Sequence, residues 1–140
     1  MITAKMKEKD TLVTDIVDDN GKTITICSSK VESAYLSPRQ LVQSALAGCL
    51  SMTIRRELMN HNILFEDVVV SVDSAEENGQ TIYNFAISIE SGEDRDIIEK
   101  LKETAIQSCY IRGLLSAGIV MNEVEDLQVN SGPVCDCCCG

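Results

Sequence analysis

The residues best equipped for chemistry in this chain of 140 are its seven cysteines. Cys49 lies in the middle of a run of small and apolar residues, Cys109 opens a short apolar segment, and Cys27 ends a strand-like stretch. The other four, Cys135, Cys137, Cys138 and Cys139, crowd the last six residues. A secreted disulfide scaffold spreads an even number of cysteines along its length, so this odd, clustered set points to free thiols. A thiol becomes a nucleophile or a ligand only as thiolate. Its ordinary pKa is ~8.5, and apolar burial raises it. A reactive Cys49 therefore needs a cation or a ring of hydrogen-bond donors, and without either it is a core residue. Arg56, two helical turns beyond Cys49, and Arg112, three residues beyond Cys109, are candidate cations. The tail cluster offers soft ligands for Zn or Cu(I), although adjacent cysteines suit a single tetrahedral site poorly. An extended tail could equally act as a redox arm carrying reducing equivalents. His61 stands alone among asparagines at a helix end and reads as a solvated cap. A Ser-His-Asp triad would need His61 as its base, and no nucleophile-elbow motif accompanies it.

Composition narrows the functions these groups could serve. The chain is 44% hydrophobic and 24% charged, as ordinary globular domains are. Its net charge of −10 repels a phosphate backbone, and with 4% aromatics it has little to stack on bases, so nucleic-acid binding is not expected. No apolar run is long enough to span a membrane. The opening residues lack the apolar core of a secretory leader, which leads us to expect a cytoplasmic protein.

Alternating patterns predict strands over 2–7, 11–17 and 22–27. Asn20-Gly21 marks a hairpin turn of the type I′ kind. Ser37-Pro38 is suited to cap and open a helix that continues through Leu58. Apolar side chains cover nearly every face of that helix, which predicts burial all round. Strands follow over 65–73 and 81–90, joined by a turn containing Asn78-Gly79. An amphipathic helix over 94–107 turns Ile97, Ile98, Leu101 and Ala105 inward. A further helical segment over 110–117, a strand over 119–129 and a tail complete the order. The expectation is one α+β domain over 1–130, with antiparallel sheets around a long buried central helix, and a Cys-rich tail over 131–140. A single protomer has few layers in which to hide such a helix, which argues for an intertwined homodimer.

The segment LSPRQLVQSALAGCLSM at 36–52, followed by SCYIRGLL at 108–115, resembles the OsmC/Ohr family of osmotically inducible and organic hydroperoxide resistance proteins. The carrying features are Pro38 at the start of the central helix, Cys49 eleven positions later, and Cys109 at the start of a short helix after an amphipathic one. The resemblance implies an OsmC-like fold, an intertwined homodimer and thiol-dependent reduction of organic hydroperoxides. It implies Cys49 as the peroxidatic residue, Cys109 as the resolving one and a dithiol as the reductant, with no bound cofactor. Peroxidases of the family bring an Arg from the N-terminal strands, oriented by a Glu after the Pro. Here Arg39 follows Pro38 and is the first Arg in the chain, so Arg39 becomes the candidate for stabilising the Cys49 thiolate. The alternatives are a non-peroxidatic relative binding a small apolar or sulfur-containing ligand, and a soft-metal or sulfur-handling protein centred on the tail.

Overall fold

The computed structural model describes residues 1–7, 9, 11–28, 34–117 and 121–124. Among them the elements are β1 (Ile2–Met6), β2 (Val13–Asp18), β3 (Thr23–Cys27), α1 (Pro38–Asn60), β4 (Asp67–Glu77), β5 (Gln80–Glu90), α2 (Arg95–Ser108) and α3 (Tyr110–Ser116). The fold is α+β with antiparallel sheets, as the patterning predicts. The described residues divide into two compact units, 1–42 and 43–124.

The first unit is a meander in the order β1-β2-β3, with Ile2 opposite Asp18 and Val17 opposite Thr23. Its second turn differs from the predicted type I′ geometry. Only Gly21 takes a positive φ (80°), while Asn20 does not. The Gly21 N–H donates to the Asp18 carbonyl, and the Asp18 carboxylate accepts from the N–H groups of Asn20 and Lys22. An aspartate that can gather two backbone donors favours a three-residue loop closed by a left-handed glycine over the two-residue turn. After β3, Ile26 bridges to Leu36, and the chain enters α1 through a capping box. Gln40 N–H donates to Ser37 Oγ at 3.3 Å, and Ser37 N–H donates back to Gln40 Oε1 at 2.9 Å. With Pro38 at the first helical position, this start is strongly specified.

In the second unit, β4 and β5 form a long hairpin from Asp67↔Glu90 to Glu77↔Gln80. Its turn does have two left-handed residues, Asn78 (φ 51°) and Gly79 (φ 77°), which is the type I′ requirement. Val68, Val70, Ile87 and Ile89 share one face and pack on Ile54 and Leu58 of α1 and on Ile98, Leu101 and Ala105 of α2. Ile97, expected inward, is exposed, because the narrower stripe of Ile98, Leu101 and Ala105 already fills the contact. Helix α1 ends in a Schellman arrangement: Asn62 takes φ 54°, and Ile63 N–H donates to the Leu58 carbonyl at 2.9 Å.

Within the described residues of one protomer, α1 is buried on one face, and the expected cover for its other side is a second copy. Leu46, Cys49, Leu50, Thr53, Ile54 and Leu58 are buried, and these fall on one face at helical spacing. Ala45, Met52 and Met59 are exposed. The helix is apolar all round, but the hairpin and α2 cover one side only. Most of the strand expected over 119–129 lies outside the described residues, and the described stretch 121–124 is not strand. The tail 131–140, with Cys135, Cys137, Cys138 and Cys139, also lies outside them.

Candidate functional site

Cys49 is delivered by the middle of α1, where the buried face of the helix meets the hairpin. Cys109 is delivered by a joint. It is the single residue between α2 and α3, extended at φ −66° and ψ 116°, ending one helix and capping the next. Its carbonyl accepts the first turn of α3 from Gly113 N–H at 3.0 Å. The two cysteines meet in one buried cluster with Leu46 and Leu50, against Val70, Val72, Tyr83, Ile106, Ile111 and Leu115. Both thiols are free, as is that of Cys27 in the first unit.

The start of a helix carries N–H groups with no partner inside the helix. In α3 these donors are turned to the sulfurs. Burial pushes the Cys49 thiol up, but Ile111 N–H, the Cys109 thiol, the Thr53 hydroxyl and Tyr110 N–H outweigh it and hold Cys49 below its ordinary value. Thr53 is buried and donates its proton to the Cys49 carbonyl at 2.8 Å, so it serves the sulfur by turning that one hydrogen towards a thiolate. Cys109 moves the other way. Burial, together with the hydrogen bond and the negative charge of Cys49, pushes it up to about 11, against the opposing N–H groups of Arg112 and Ile111. The pair is thus polarised into one sulfur that ionises readily and one that keeps its proton and donates it.

The sequence left two routes to an activated Cys49 open, a cation or a ring of donors, and the described groups around the sulfur are donors. Arg39 is exposed on the first turn of α1, within the first unit, where it lines a cleft with Thr14, Cys27 and Ser37. Arg56 is half-buried on α1. Arg112 is half-buried too, and its side chain lines a cleft of about 250 Å³ with Leu46, Tyr83, Phe85 and Leu115. Leu46, Tyr83 and Leu115 also pack around the thiol pair, so this cleft adjoins it. His61 is exposed, with Nδ1 at 2.9 Å from the Glu57 carbonyl, as a helix-end cap would be. Among the described residues no group of three or more His, Cys, Asp or Glu side chains could hold a metal. Sequence reasoning missed Thr53 and the N–H groups of Tyr110 and Ile111. The one signal available was that Cys109 stands where a short helix begins.

The family model for OsmC-like proteins matches residues 31–124. The chain belongs to the OsmC-like family. No curated protein matches it by sequence. Solved structures of this fold align over most of the chain. An OsmC-like protein from Mycoplasma pneumoniae superposes with a TM-score of 0.71 at 18% identity, over 82% of this chain and 85% of the other. An OsmC-like protein of unknown function from Vibrio cholerae gives 0.67 at 15% identity, over 83% and 92%. An organic hydroperoxide resistance protein from Elizabethkingia anophelis gives 0.63 at 17% identity, over 83% and 88%. At these identities the likeness establishes the OsmC-like fold. No described helix is long and apolar enough to cross a membrane.

Proposed function

We propose that this OsmC-family protein is a thiol peroxidase that reduces small organic hydroperoxides at Cys49 and resolves the product with Cys109. The observation that carries the reading is the polarised thiol pair, in which the donors around Cys49 lower its pKa despite burial while Cys109 is pushed up to about 11. The hydroperoxide activity belongs by name to structural neighbours, among them the Elizabethkingia anophelis protein, and it fits this chemistry.

The Cys49 thiolate attacks the outer oxygen of ROOH. A sulfur–oxygen bond forms, the O–O bond breaks, and the leaving alkoxide takes a proton to become ROH, so that Cys49 becomes a sulfenic acid. That step removes the negative charge that had raised Cys109. Cys109 then gives up its proton more easily and attacks the Cys49 sulfur, forming the disulfide as water leaves. An external dithiol returns both residues to thiols. The order of events is built into the pair, since Cys109 is held protonated until Cys49 has been oxidised.

The same reading places the protein in the cytoplasm, a reducing compartment where free thiols persist. It also makes the working form a homodimer, in which a second copy covers the exposed side of α1 around Met52 (41% exposed) and Met59 (65%). Met52→Glu should then shift the protein from dimer to monomer in sedimentation, and a wild type that sediments as a monomer at micromolar concentration would remove the dimer.

Stopped-flow mixing of reduced protein with cumene hydroperoxide tests the chemistry. One equivalent should yield a Cys49–Cys109 disulfide by peptide mass, and Cys109→Ser should stop at the Cys49 sulfenic acid. A Cys49 that stays reduced under excess hydroperoxide would refute the peroxidase. It would favour a small-ligand-binding protein, the reading supported by the absence of any Arg before Arg39 and by the cleft beside the thiols.

A further inference from the structure

The cleft beside the thiols has one charged side chain in its wall. Arg112 lies on α3 and is half-buried, and its guanidinium makes no hydrogen bond or ion pair among the described residues. The rest of the lining is Leu46, Phe85, Tyr83 and Leu115, with two hydroxyls from Thr81 and Ser116. Acidic residues outnumber basic ones 22 to 12 in this chain, yet among the described residues none lines the cleft. A guanidinium cannot shed its charge, and taking it partly out of water without a partner is unfavourable. An anion that pairs with its planar fork relieves that cost through two parallel hydrogen bonds.

We infer that Arg112 is a specificity-determining residue that receives the carboxylate of a small anionic substrate whose apolar body lies on Leu46, Tyr83, Phe85 and Leu115. Pockets for drug-sized ligands run to ~300–1,000 Å³, so a cleft of about 250 Å³ takes a smaller molecule, about one ring with short substituents. The shared residues Leu46, Tyr83 and Leu115 put that body against the cluster that holds Cys49 and Cys109. The inference rests on the peroxidase reading for what happens next: the carboxylate anchors one end, and the hydroperoxide at the other end meets Cys49. The selectivity has to be local, because the net charge of −10 repels anions from the protein as a whole.

The test separates recognition from reaction. Unreactive 4-isopropylbenzoate and its neutral amide, 4-isopropylbenzamide, are compared for their ability to protect Cys49 of the full chain from iodoacetamide, read by peptide mass. The benzoate should protect at about tenfold lower concentration than the amide, a difference equivalent to ~1.4 kcal/mol. Arg112→Met, checked for folding by circular dichroism, should erase the difference, and Arg112→Lys should retain part of it. Equal protection by the two compounds in the wild type would overturn the inference even if the variants failed to fold, and so would a preference that survives in Arg112→Met. In the second arm, 4-carboxycumene hydroperoxide should show a lower KM than cumene hydroperoxide, and Arg112→Met should remove that advantage. If neither hydroperoxide oxidises Cys49, the peroxidase reading fails, while the protection experiment still decides for or against carboxylate recognition.

Discussion

Replacing Cys109 by Ala isolates one contribution to the acidity of Cys49. The Cys109 thiol donates to the Cys49 sulfur, and the residue is about 2% exposed, so no bulk water stands ready to replace the donor. Hydrogen bonds to charged groups contribute ~1.5–3 kcal/mol, and a thiol is a weak donor, so the low end applies. Losing ~1.5 kcal/mol from the thiolate changes its ratio to thiol about tenfold, or about one pH unit in the midpoint. Ile111 N–H, Tyr110 N–H and Thr53 still face the sulfur in the variant, so the rise should not go further. The assay is the pH dependence of Cys49 alkylation by iodoacetamide, read on the Cys49 peptide so that Cys27 and the tail thiols do not contribute. The expected result is a midpoint about one unit higher in Cys109→Ala, with slower alkylation below that midpoint. Cys109→Ser supplies a stronger donor in the same place and should alkylate at least as fast as wild type. Matching profiles for the Ala and Ser variants would refute the reasoning, because the donor would then be irrelevant.

Three other outcomes follow from the same geometry. Cys109 keeps its proton to about 11 in the fold, against ~8.5–9 for an ordinary thiol, so between about pH 9 and 11 the unfolded chain has released a proton that the folded chain retains. Stability should fall as pH rises through that window, by at most ~2.7 kcal/mol, and Cys109→Ser should lack this loss in urea titrations; Cys49, shifted downward, adds nothing to the fall there. Leu50 is fully buried, so Leu50→Ala should cost ~2–5 kcal/mol in chemical denaturation. Arg39→Met should leave the Cys49 alkylation profile unchanged, since the described groups acting on that sulfur are uncharged donors; a clear slowing would give Arg39 a share of the activation.

Much of the architecture is legible in local chemistry. Both Asn-Gly pairs mark hairpins, the alternation of Val68, Val70 and Ile87 marks a one-sided sheet, and Ser37-Pro38 marks the start of α1. The errors arise where a local rule meets a competing partner. The Asp18 carboxylate redirects the β2–β3 turn, and α1 is apolar on faces that its own protomer does not cover. The Cys49–Cys109 pair is foreseeable from spacing and family resemblance, but the means of activation is not. It depends on α3 beginning at a point in space where α1 presents a sulfur, and no spacing in the chain encodes that meeting. Arg112 was legible as a cation near Cys109; its place in a cleft wall without a counter-charge emerges only from the packing of α3 on the hairpin.

The sulfur of Cys49 also serves as an external cap for α3. That helix has seven residues, none of them buried, and no capping hydrogen bond from its own first side chain. The opening N–H groups of Tyr110 and Ile111 turn instead to a sulfur supplied by another helix. On the proposed peroxidase cycle, oxidation of Cys49 would take away its capacity to carry charge at that cap, so α3, the shortest of the described helices, would lose an acceptor for its opening N–H groups. On that cycle, amide protection along 110–116 should fall from the reduced to the oxidised protein.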